Sequence, residues 1–156
     1  SVTLSLRSVT ETAKILTDIF NYSPASQEGN RHRYVTNAID GAATIDLLEE
    51  PGAARAINAG GTVHHVAFRV KNEEILMQFR DKVLRHGGLN ITPKIDRNYF
   101  FSLYFREPGG VLFEIATDNP GFSVDEVVSE LGTHLKLPPQ YESSRSEIEK
   151  VLPSLV

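Results

Sequence analysis

The strongest constraint on this chain is that it repeats itself. Ser1-Val2-Thr3-Leu4-Ser5-Leu6 lies over His65-Val66-Ala67-Phe68-Arg69-Val70, and Gly41-Ala42-Ala43-Thr44-Ile45-Asp46-Leu47 over Gly109-Gly110-Val111-Leu112-Phe113-Glu114-Ile115. The first segment of each copy alternates with period two, as a half-buried strand does. A helix follows each of them. In the first copy Ser8 to Glu11 reads as a capping box, and Val9, Ala13, Leu16 and Phe20 form an apolar stripe to about Asn21. Residues 22–31, rich in Ser, Asn, Gly and Pro, read as loop; His32–Thr36 and Ala43–Leu48 read as strands joined through Asp40-Gly41. In the second copy Val63–Val70 reads as a strand, and Asn72 caps a helix carrying Ile75, Phe79 and Val83 that Gly87-Gly88 ends. Strands then follow at Ile91–Ile95, Phe101–Phe105 and Val111–Ala116, the last two joined by Pro108-Gly109-Gly110. The reading is an α+β fold of two βαβββ modules, 1–52 and 61–119, forming paired mixed sheets around a cleft. From Gly121 the pattern changes to a C-terminal helical tail, 121–156, with a short helix at Val124–Leu131, a break at Pro138-Pro139 and a last helix at Ser144–Leu152. This tail is expected to pack over one face.

Composition narrows the function classes. A length of 156 residues suits one domain with a real core. Sixteen Lys and Arg against twenty Asp and Glu give a net charge of −4, with no basic block, so a nucleic-acid partner is excluded. The sequence contains no Cys, so disulfides, thiolate nucleophiles and zinc-thiolate sites are excluded and any metal must sit on His and carboxylates. No apolar run approaches a membrane span and no secretory leader opens the chain, so a soluble, cytoplasmic protein is expected. Because the first residues already alternate, the chain reads as incomplete at its start.

Strand parity selects one candidate pair. His64, Val66, Phe68 and Val70 form the more apolar side of their strand, with His65, Ala67 and Arg69 opposite; Phe113 and Ile115 are apolar, with Glu114 opposite. If these strands are neighbours, His65 and Glu114 project into one concavity. A neutral imidazole and an ionised carboxylate are two thirds of the facial triad that holds non-haem Fe(II) with open positions for substrate and dioxygen. Taken alone, the spacing equally allows a structural His65 and a Glu114 paired with Arg69 or Arg106.

Five segments carry a resemblance: Gly61-Thr62-Val63-His64-His65-Val66-Ala67-Phe68, Ile95-Asp96-Arg97-Asn98-Tyr99-Phe100, Leu103-Tyr104-Phe105-Arg106-Glu107-Pro108-Gly109-Gly110, Phe113-Glu114-Ile115-Ala116-Thr117-Asp118 and Leu135-Lys136-Leu137-Pro138-Pro139. Together they resemble the C-terminal half of hydroquinone-type ring-cleaving dioxygenases of the vicinal oxygen chelate superfamily, which also includes glyoxalase I and bleomycin-resistance proteins. The resemblance implies Fe(II), with Mn(II) as an alternative, bound by His65 and Glu114. It also implies a small aromatic substrate, hydroquinone- or catechol-like, cleaved with dioxygen. His64 matches a histidine behind the metal ligand, Arg97 a cavity arginine able to stabilise developing negative charge, and Tyr104 a cavity tyrosine; Tyr104 or His64 would move the proton. Parity allows the phenol of Tyr104 to face the cleft. Its alternative is a bond to a backbone carbonyl, and that of Arg97 a surface ion pair.

The sequence departs from the family pattern in one respect. The remaining histidine of such enzymes comes from a preceding pair of modules that this chain does not contain, and within the repeat Ser1 and Asp46 stand in the places of His65 and Glu114. The expected partner is therefore an N-terminal domain or another copy of the chain. Two rival readings stay open: a metal-free module that sequesters small molecules, and a glyoxalase-type lyase.

Overall fold

The computed structural model describes residues 1–54 and 56–153, so the last three positions of the predicted tail lie outside the described residues. The first module contains β1 (Val2–Leu6), α1 (Thr10–Lys14), β2 (Ser23–Glu28), β3 (Arg31–Val35) and β4 (Thr44–Glu49); α1 runs on through a wide π-helical turn at Ile15–Ile19. The second contains β5 (Val66–Val70), α2 (Glu73–His86), β6 (Ile95–Asp96), β7 (Phe100–Arg106) and β8 (Leu112–Pro120). Two four-stranded sheets result, ordered β1-β4-β3-β2 and β5-β8-β7-β6, each with its first strand parallel to its last and the other pairings antiparallel. The α+β fold of two paired mixed sheets is the one the repeat predicts. Its register matches as well: Val2 pairs with Ile45 and Thr3 with Asp46, while Val66 pairs with Phe113 and Ala67 with Glu114.

One core serves both modules. Ile15, Leu16, Ile19 and Leu47 of the first and Leu76, Leu103, Phe113 and Ile115 of the second are fully buried. Phe20, at the end of the first helical segment, stacks on Phe68 with 3.9 Å between centroids and also meets Phe79, Phe105 and Phe113. Since side chains alternate across a strand, burying Ile45 and Leu47, and likewise Phe113 and Ile115, turns Asp46 and Glu114 to the faces away from this core. A polar staple fixes the modules together: the Glu107 carboxylate, 2 % exposed, accepts from the Thr12 hydroxyl and from the Gly109 and Val111 amides, both at 2.8 Å.

Several local expectations are corrected. Residues 23–28 form an edge strand rather than loop; all six are exposed, so no apolar alternation marks them, and the register slips between Pro24 and Ser26. Ser8 does not cap α1, and the Val9 amide instead donates to Glu49 Oε1 at 3.2 Å. Ordered pairing in β5 begins at Val66, opposite Phe113 near the start of β8, which leaves His65 just before the strand. Pro93, which has no N–H to give a ladder, splits the strand expected at Ile91–Ile95 into an isolated bridge from Ile91 to Phe105 and the two-residue β6. In the tail the helix expected at Val124–Leu131 is two short 3₁₀ turns, Phe122–Val124 and Val128–Glu130. Val124, Val127, Val128 and Leu131 are exposed, so this stretch has no buried face to stabilise a helix and does not cover a sheet. The last helix forms as α3 (Arg145–Val151), and Asn72 caps α2 by accepting from the Ile75 amide at 3.0 Å.

Candidate active site

The site assembles around the carboxylate of Glu114. β8 places it beside β5 on one side and β7 on the other, where it lies directly opposite Ala67 and Tyr104. Ala67 is small, and His65, one residue before β5, reaches over it so that Nε2 lies 2.7 Å from Glu114 Oε2. The Tyr104 hydroxyl donates to Glu114 Oε1. Glu114 is 4 % exposed, and among the described residues no Lys or Arg neutralises it. Arg69 pairs with Asp118, and Arg106 donates to the Gly110 carbonyl, so neither proposed structural partner of Glu114 is used.

Asp46 gives the contrast. It occupies the same register in the first module and is equally buried at 4 %, but Arg33 grips it with two nitrogens at 2.8 and 2.9 Å and Arg31 adds a third contact at 3.1 Å. Hydrogen bonding from Arg33 leads in holding the Asp46 carboxyl at about 2. A folded-state value below the unfolded one stabilises the fold above about pH 4, and that contribution fades as pH falls through 4 toward 2. Asp46→Asn should therefore cost stability near neutrality, on the order of 1 kcal/mol because both arginines are half exposed. The gap to the parent, read by urea unfolding, should narrow below about pH 4 and close only as pH falls through about 2; a gap independent of pH would contradict this origin.

The other sequence-selected residues gather near Glu114. His64 Nδ1 lies 2.9 Å from His65 Nδ1, so one ring nitrogen must donate to the other. The Tyr104 ring stands edge-on to His65 with centroids 5.9 Å apart. The Arg97 guanidinium lies over the Tyr104 ring, 5.6 Å from its centroid. Burial first, then the hydrogen bond to Glu114, raise the Tyr104 phenol above its ordinary value, against an opposing pull from Arg97. The phenol therefore keeps its proton near neutrality. No sequence motif assigns Ser102 a role. It is fully buried, two residues from Tyr104 on the same side of β7, and among the described residues its hydroxyl has no hydrogen-bond partner; strand parity is the available signal.

The donors fit a divalent ion. Two ligands each ~2.1 Å from an ion and at right angles to one another lie ~3 Å apart, close to the 2.7 Å between Nε2 and Oε2. Imidazole and carboxylate suit Fe(II) and Mn(II). Among the described residues no group of three His, Asp or Glu gathers, so the arrangement offers at most two candidate donors, His65 and Glu114. Also among them, no helix is long and apolar enough to cross a membrane.

Comparison with known proteins agrees with this architecture. Residues 1–115 match the family model described as the Glyoxalase/Bleomycin resistance protein/Dioxygenase superfamily. MhqE of Bacillus subtilis (strain 168), provisionally named a ring-cleaving dioxygenase, is 43 % identical over 144 residues, covering 92 % of this chain and 46 % of its own length. The chlorohydroquinone/hydroquinone 1,2-dioxygenase of Sphingobium indicum is 31 % identical over 156 residues, covering 97 % and 48 %. The crystal structure of a provisionally named dioxygenase from Bacillus subtilis superposes with a TM-score of 0.89 at 41 % identity, over 97 % of this chain and 48 % of that one. The chain thus spans about half the length of the curated relatives it matches.

Proposed function

The chain belongs to the glyoxalase/bleomycin resistance protein/dioxygenase superfamily, and within it we propose that it is the C-terminal domain of a cytoplasmic, Fe(II)-dependent ring-cleaving dioxygenase acting on hydroquinone- or catechol-like aromatics. The observation that carries this reading is the difference between two carboxylates at one register: Asp46 is neutralised by two arginines, whereas Glu114 faces a histidine and a phenol. A buried carboxylate without a cation is costly. A divalent ion between Glu114 and His65 removes that cost, with Mn(II) as the alternative metal. The third ligand comes from outside this chain, from an N-terminal domain or a second copy.

When bound, the ion supplies Lewis acidity, a template for substrate and dioxygen, and redox access to dioxygen. The protein's own groups do the rest. For Nε2 of His65 to offer a lone pair, its ring proton must sit on Nδ1, where His64 Nδ1 lies ready to accept it. Tyr104, protonated and hydrogen-bonded to Glu114, orients the carboxylate and holds a proton that can pass to or from a ring hydroxyl. Arg97 brings positive charge beside the place where an aromatic diol loses its protons.

The test uses anaerobically prepared protein joined to its N-terminal half. Fe(II) content should approach one per site, and oxygen uptake should depend on an added hydroquinone. Tyr104→Phe should slow turnover by about 10²-fold with iron content unchanged. An iron-independent ligand site, or a zinc- or nickel-dependent activity that consumes no oxygen, would displace the proposal; an unchanged rate in the Phe variant would remove Tyr104 from proton transfer.

A further inference from the structure

The loop that presents Arg97 is anchored by the tail. Within the loop, the Asn98 amide donates to Asp96 Oδ1 at 2.8 Å, the Arg97 amide to the Phe100 carbonyl at 2.9 Å and the Tyr99 amide to the Arg97 carbonyl at 2.8 Å, with Asn98 at φ 64°. Among the described residues, the loop's hydrogen bonds and ring contacts to the tail pass through Tyr99. The Gly121 amide donates to its carbonyl at 2.9 Å, its ring stacks on Phe122 at 5.1 Å, and its hydroxyl donates to Asp125 Oδ2 at 3.1 Å. The Asp125 carbonyl in turn accepts from Lys136 Nζ at 3.2 Å, and the Leu135 carbonyl from Arg145 of α3 at 3.1 Å, so the contact reaches deep into the tail.

Arg97 is exposed and forms no ion pair among the described residues; its contact is the face of Tyr104. A cation–π contact at an exposed site is worth less than the rotamer freedom an arginine gives up to make it. The backbone must therefore aim this side chain. Phe122 points the same way: 62 % exposed, it makes its one aromatic contact among the described residues with the Arg97 loop.

We infer that Tyr99, Phe122 and Asp125 form a latch by which the tail positions Arg97 over Tyr104. These are positioning residues acting through the backbone of 97–100, and the inference rests on the reading of Arg97 as a site residue. In the 156-residue chain, the NOE and ring-current shift between the Arg97 side chain and the Tyr104 ring should be present. Both should be lost in Phe122→Ala and Tyr99→Leu, weakened in Asp125→Asn and restored in Phe122→Tyr, with the methyl shifts of Leu47 and Ile115 unmoved. Trypsin should cut after Arg97 about tenfold faster in the first two variants, because cleavage follows local opening. Wild-type Arg97 signals and cleavage rate in folded Phe122→Ala and Asp125→Asn protein would overturn the latch. Iron uptake, measured in the same samples joined to the N-terminal half, fails separately if the metal assignment is wrong, since neither Arg97 signal depends on it.

Discussion

Glu107→Ala should lower the unfolding free energy by about 3 kcal/mol, since three donors each lose a partner worth ~1 kcal/mol or more. The carboxylate accepts from Thr12 of the first module and from two amides of the β7–β8 turn, all on a residue 2 % exposed. Truncation leaves two N–H groups and a hydroxyl without a protein acceptor at the seam between modules. Gly109→Ala should act on the same seam by crowding, at ~2 kcal/mol: an added Cβ would lie 2.6 Å from Leu6 Cδ2 and 2.8 Å from both Glu107 Oε1 and Thr12 Oγ1. Against the 5–15 kcal/mol typical of a domain, either loss should move the urea midpoint far, with the m-value unchanged. A shift equivalent to less than about 1 kcal/mol for Glu107→Ala would show that the staple does not hold the modules together.

That staple also marks where sequence reasoning stops. Thr12 and Glu107 are 95 residues apart, and no periodicity links a helix position to a turn carboxylate. The repeat, by contrast, is written in local alternation. Laying Ser1–Leu6 over His65–Val70 places Val2 on Val66, laying Gly41–Leu47 over Gly109–Ile115 places Asp46 on Glu114, and the sheets pair with those offsets. Strands with one buried face, such as β1 and β5, declare themselves through that face. β2 has no buried face, and its backbone bonds to β3 leave no trace in residue type.

The same division holds at the site. His65, Glu114 and Tyr104 come together through strand parity and register, which one sequence can express. Tyr99 meets Phe122 and Asp125 through an irregular tail, where no period fixes which side chain faces which. The resemblance named the segment Ile95–Phe100 but not what steadies it.

Glu114→Gln should separate the cost of the site from its use. A neutral amide keeps the shape of the side chain and removes the charge that makes the position a cation ligand, so Fe(II) affinity of the protein joined to its N-terminal half should fall at least ~100-fold, taking oxygen uptake with it. Stability of the metal-free chain should move the other way. Burying a carboxylate against a phenol and an imidazole costs more than burying an amide, so the variant should exceed the parent by ~1 kcal/mol. Asp46→Asn, at the equivalent register, should lose stability, because there the charge already has its cations in Arg31 and Arg33. Opposite signs at two equivalent positions are hard to produce by general damage to the fold. Equal losses at both would mean that Glu114 is a structural carboxylate like its counterpart, and the metal assignment would fall with it.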